Sequence, residues 1–128
     1  MFTHVMVGAS DLEASRTFYD AVLGTLGIGA PFRDRDRYFY RGKGMSFSIT
    51  KPIDGNPPTF ANGATIGFAA ESPEAVHAFH EAGLANGGVT CEEPPGLRSS
   101  DFGDLYLAYL RDPDGNKICA LHRVKRDR

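Results

Sequence analysis

Cysteine is scarce in this chain, and two thiols cannot frame a fold of 128 residues. Disulfide scaffolds compensate for cores too small to hold a chain together, whereas a chain of this length buries roughly two-thirds of its unfolded surface unaided. Reduced thiols and a cytoplasmic location are the expectation that follows. Also missing is an excess of either charge, since 14 Lys and Arg stand against 16 Asp and Glu for a formal net charge of −2. That balance offers no electrostatic footprint for nucleic acid or an anionic membrane. No apolar run is long enough to span a bilayer. Met1-Phe2-Thr3-His4 does not lead from a charged segment into an apolar stretch, so no secretory signal is expected. The basic end, Arg123-Val124-Lys125-Arg126-Asp127-Arg128, is short and interrupted, and reads as a solvated tail.

What is present is a weak internal duplication within one expected domain, residues 1–128. In the first module, about 1–55, Phe2 to Val7 is a short strand pattern. Ser10-Asp11-Leu12-Glu13 then reads as a capping box, with Ser10 as cap and Glu13 reaching back. Leu12, Phe18, Val22 and Leu26 fall at helical spacing, with Glu13, Arg16 and Asp20 on the polar face. Extended segments follow near Arg37 to Tyr40 and Met45 to Thr50, joined by Gly42-Lys43-Gly44. A linker rich in Pro, Gly and Asn occupies about 52–63. The second module, about 64–123, repeats the order. Ala64 to Ala69 is strand-like, and Ser72-Pro73-Glu74 opens a helix with Ser as cap and Pro at the first position. Strands are then expected near Val89 to Glu92, Leu105 to Arg111 and Lys117 to His122. Before the last of these, Asp112-Pro113-Asp114-Gly115-Asn116 is strong turn chemistry. Units of about sixty residues are too small to stand alone, so the two modules should share a core.

The opening strand with His4, Phe18-Tyr19 on the first helix and the closing Asp-Pro-Asp-Gly-Asn turn occur in an order that resembles the vicinal-oxygen-chelate superfamily. That superfamily contains glyoxalase I, bleomycin-resistance proteins and extradiol dioxygenases. The resemblance covers nearly the whole chain. It implies an α+β fold of two βαβββ modules whose curved mixed sheets enclose a cleft. It also implies a divalent ion held by one residue from the first and one from the last strand of each module. His4 stands where the first His ligand belongs. Thr65 stands where the second module offers His, and Cys119 where the last strand offers Glu. Ser48 or Thr50 is what remains for the fourth position.

This donor set is poor. Neutral hydroxyls bring no charge to offset a divalent cation, and loss of Glu removes both an anion and the usual base. A His4–Cys119 pair would attract zinc, yet two protein ligands fall short of ordinary zinc sites. No metal or other cofactor is therefore expected; if one binds (Zn, Ni, Mn or Fe), His4 and Cys119 are its ligands. Cys119 at a strand centre is first a small buried hydrophobe, and its use as a nucleophile beside His4 needs a depressed pKa. His77 and His80 read as helix-surface residues, and His122 lies on the strand face opposite Cys119. Glu93 to Arg98 reads as a loop resembling the family's Pro-Gly-x-Arg segment at the cleft mouth, where Arg98 would grip a carboxylate or phosphate. Tyr106 and Ala108 share one strand face and Leu105, Leu107 and Tyr109 the other. Tyr106 is assigned to the cleft because the resemblance implies an aromatic there.

The expected function is a small organic molecule bound in a cleft with a degenerate metal site, lined by His4, Ser48, Thr65, Arg98, Tyr106 and Cys119. By resemblance to bleomycin-resistance proteins a homodimer is expected, with the cleft within one chain or between two. The alternative is a divalent-metal lyase, isomerase or dioxygenase using His4 with atypical ligands. No basic cluster supports glutathione as substrate.

Overall fold

The computed structural model describes residues 1–124, so Arg123 and Val124 close the last strand and the rest of the basic end lies outside the described residues. The first module runs β1 (His4–Gly8), α1 (Leu12–Gly24), β2 (Phe32–Asp34), β3 (Arg37–Arg41) and β4 (Ser46–Thr50). The second runs β5 (Ile66–Ala69), α2 (Pro73–Ala85), β6 (Val89–Thr90), β7 (Gly96–Ser100), β8 (Gly103–Arg111) and β9 (Lys117–Val124). The result is an α+β fold with two helices and two mixed sheets. The first sheet has the order β1-β4-β3-β2; the second has β5-β9-β8-β6, with β7 also paired to β8. Each module is closed by a parallel pair, β1 with β4 and β5 with β9. Strands β1 and β5 are the free edges those pairs leave.

Two strands depart from the sequence reading. β2 is only three residues long, too short to show a period, and pairs with β3 through Phe32 and Phe39. β7 replaces part of the expected Glu93–Arg98 loop, because Gly96 to Ser100 pairs along β8 despite its turn-like composition. The α1 cap also differs. Asp11, not Ser10, caps the helix, accepting from the Ala14 amide at 3.0 Å. Ser10 Oγ instead donates to Asp114 Oδ1 at 2.6 Å, and Glu13 accepts from Tyr38 Oη at 2.8 Å. The local capping box is outcompeted by partners that only the tertiary fold supplies. Ser72 caps α2 as its sequence predicts, accepting from the Ala75 amide.

Strand alternation sorts every side chain to one of two faces. Val5, Val7, Tyr38, Tyr40, Phe47 and Ile49 face α1, while Ile66, Phe68, Tyr106, Ala108, Leu110, Ile118 and Ala120 face α2, and all lie in or against one apolar cluster. Phe47 of the first sheet meets Phe68 of the second edge-on, ring centres 5.1 Å apart. The two sheets therefore turn their helix-covered faces toward each other, and their other faces look away from the shared core.

A buried polar joint locks the modules together. Asp112, 3% exposed, accepts from Tyr19 Oη of α1 at 2.7 Å and from Asn116 Nδ2 at 2.9 Å. Its other oxygen accepts from the Asp114 and Asn116 amides. Asn116 Nδ2 also donates to the Gly8 carbonyl. Gly115, at φ +88°, lets the turn double back so that these groups converge. The Asp-Pro-Asp-Gly-Asn motif is thus a clasp between modules as well as a turn.

Candidate functional site

The outward face of the first sheet is built by register. Met6, Ser48, Phe39 and Phe32 form one row across its four strands, and His4, Ser46 and Arg41 form the next. The outward face of the second sheet carries Gly67, Cys119 and Tyr109 in one row, Leu121, Leu107 and Gly96 in another, and Arg123, Leu105 and Arg98 in a third. Leu107 and Cys119 are 4% and 5% exposed, yet both lie outside the core cluster.

The residues read from the sequence fall on both faces and do not converge. His4 is exposed, its Nδ1 within 2.8 Å of Thr3 Oγ1. Ser48 is fully buried in the same sheet, and its hydroxyl has no partner. Cys119 lies on the second sheet, where burial raises its thiol from 9.0 to about 11. The thiol is neutral at physiological pH, which disfavours both nucleophilic use and metal ligation. Thr65 is exposed, one residue before β5. Arg98 is on the Cys119 face, but its guanidinium donates to the Pro94 carbonyl at 2.8 Å. His122 is on the opposite face from Cys119, with Nδ1 3.0 Å from the Ala70 carbonyl.

Tyr106 lies on the α2 side of β8, with Oη 2.6 Å from His77 Nε2, and Tyr109 lies on the opposite side, in the row of Cys119. Alternation separates 106 from 109 but does not say which side takes the helix. His77 is a partner of the sheet, and His80 Nε2 approaches Thr90 Oγ1 at 3.0 Å.

Among the described residues no group of three or more His, Cys, Asp or Glu side chains is placed to hold a metal ion. The donors at the implied positions do not fit one either. They comprise one imidazole, two hydroxyls and a protonated thiol, divided between two faces. Sequence reasoning missed Phe32, Phe39 and Arg41. Phe32 and Phe39 stack at 5.1 Å and 12°, and the Arg41 guanidinium lies 4.6 Å above the Phe32 ring. Their signal, an aromatic in a three-residue strand, becomes visible only once β2 is paired. On the second sheet, Lys117 lies 4.8 Å over the Tyr109 ring and pairs with Glu92.

These two mixed sheets of four and five strands, each with its helix, define a known class. The chain belongs to the Glyoxalase/Bleomycin resistance protein/Dioxygenase superfamily, whose family model matches residues 1–120. It is 67% identical to a glyoxalase/bleomycin resistance protein from Albidiferax ferrireducens T118, over 96% of this chain and 99% of that one, with a TM-score of 0.94. It shares the fold of a glyoxalase-related enzyme from Fulvimarina pelagi at 22% identity, over 96% and 88% of the two chains, with a TM-score of 0.74. No curated protein matches the chain. Among the described residues no helix is long and apolar enough to cross a membrane.

Proposed function

We propose that the chain acts as a homodimeric small-molecule-binding protein of this superfamily, without a catalytic metal. The carrying observation is that His4 and Ser48 sit on the outward face of one sheet and Cys119 and Arg98 on that of the other, with the shared core between. A cleft that includes both His4 and Cys119 then takes its first wall from one copy and its second from the partner. Free edges on β1 and β5, and exposed Phe2, Met6 and Met45 beside β1, support such a junction. A groove of about 580 Å³ along β5, lined by Gly67 to Glu71 and Leu121 to Arg123, offers the receiving surface. The donor chemistry supports binding over metal catalysis, because Thr65 and Cys119 replace an imidazole and a carboxylate. The proposed location is the cytoplasm, where both thiols stay reduced.

The test is metal analysis of untagged protein after incubation with Zn, Ni, Mn and Fe(II), with His4→Ala alongside. The expected result is no stoichiometric ion in either protein. One ion per chain in the wild type, lost in the variant, would overturn the reading in favour of a metal-dependent lyase, isomerase or dioxygenase.

A further inference from the structure

The chain carries more acids than bases, yet its two outward sheet faces have the opposite sign. Their strands present Arg37, Arg41, Arg98, Arg111, Lys117 and Arg123, and among the described strand residues Asp34 is the one acid sharing these faces. Some of these cations are already engaged. Lys117 pairs with Glu92, Arg98 donates to Pro94, and Arg111 donates to the Gly115 carbonyl beside the Phe60 ring. Asp34 is itself paired with Arg35. Among the described residues Arg37 and Arg41 have no carboxylate within ion-pair distance and make no side-chain hydrogen bond. Both faces are thus net positive, and on the first sheet the two unpaired guanidiniums stand on either side of the stacked Phe32–Phe39 pair.

An apolar platform with a guanidinium over one ring is chemically specific. Phe32 is covered by Phe39 and Arg41, so the exposed part of the stack is its ring edges, which suit edge-to-face packing, and Arg41 keeps N–H donors free for a planar anion. In the same row the buried Ser48 hydroxyl lacks any partner, an unspent donor between Met6 and Phe39. We infer that the cleft's ligand is an aromatic anion, its ring packed against the edges of Phe32 and Phe39 and its anionic group held by Arg41, with Arg37 adding to the field. This rests on the proposed cleft for its second wall, while the platform itself lies on one chain.

The test is calorimetric binding of 2-naphthoate and its neutral isostere 2-naphthamide to wild type, Arg41→Gln and the hairpin control Lys43→Gln. The naphthoate should bind roughly tenfold tighter than the amide, the gain of one hydrogen-bonded charge. Arg41→Gln should erase that preference and Lys43→Gln should keep it. Equal affinities, no binding of either compound, or a preference that survives Arg41→Gln would overturn the inference. Light scattering on the same samples separates the two readings. An Arg41-dependent preference in a monomer sinks the dimeric cleft alone, and a dimer without the preference sinks the aromatic-anion ligand alone.

Discussion

Tyr19→Phe removes one oxygen from the clasp between the modules and nothing else. Tyr19 is fully buried, and its hydroxyl donates to Asp112 at 2.7 Å. Hydrogen bonds to charged groups contribute about 1.5–3 kcal/mol, so a loss of about 2 kcal/mol is expected at neutral pH. For a chain of this length that lowers Tm by roughly 7 °C. The pH dependence makes the prediction sharper. Burial raises the Asp112 carboxyl above its ordinary 3.8, opposed by its bonds from Tyr19, Asn116 and Asp114. A carboxyl with a raised folded pKa binds protons more tightly when folded, so its ionisation removes stability as pH rises from 3.8 to the folded value. Removing the Tyr19 donor raises that value further and widens the window. The variant's deficit should therefore grow from pH 3 to pH 7, with the acidic deficit about half the neutral one, since a neutral acid loses only an ordinary hydrogen bond. Urea unfolding followed by circular dichroism, at one protein concentration and both pH values, measures it. A deficit below about 0.5 kcal/mol at pH 7, or one equal at both pH values, would refute the argument.

Other perturbations follow from the same geometry. Iodoacetamide at pH 8 should label Cys119 roughly a hundredfold more slowly than an ordinary thiol, because its pKa of about 11 leaves that much less thiolate; mass spectrometry reports the rate, and rapid labelling in native protein would contradict it. Gly88→Ala should destabilise by about 3 kcal/mol in thermal unfolding. Its Cβ would stand 2.5 Å from Phe18 Cε1 and 2.9 Å from the Gly83 carbonyl, and the backbone atom cannot yield. Tyr106→Phe should lose about 0.5–1 kcal/mol with its His77 contact and leave 2-naphthoate affinity unchanged, whereas weakened binding would return Tyr106 to the cleft.

Much of the fold was legible because local chemistry and tertiary structure agree. Ser72-Pro73 caps α2, Gly42-Lys43-Gly44 joins β3 to β4, and the Asp112–Asn116 turn enters β9. The failures have particular causes. Ser10 left the capping box for Asp114, 104 residues away, and no local pattern announces such a partner. β7 hides in Pro-Gly composition because pairing along β8 outweighs intrinsic preference. Alternation puts Tyr106 and Tyr109 on opposite faces but carries no helix-side label. Which faces the modules turn toward each other was also invisible, since a chain can pack its modules by either face with the same apolar pattern. Phe47 meeting Phe68 decides it.

The central claim is that the cleft is assembled from two copies. Its most direct test is the molar mass by light scattering of wild type and of Met6→Glu, which places a charge on the outward face of edge strand β1. The account predicts twice the 13.9 kDa chain mass for the wild type and a folded monomer for the variant. A wild-type mass of 13.9 kDa would contradict it.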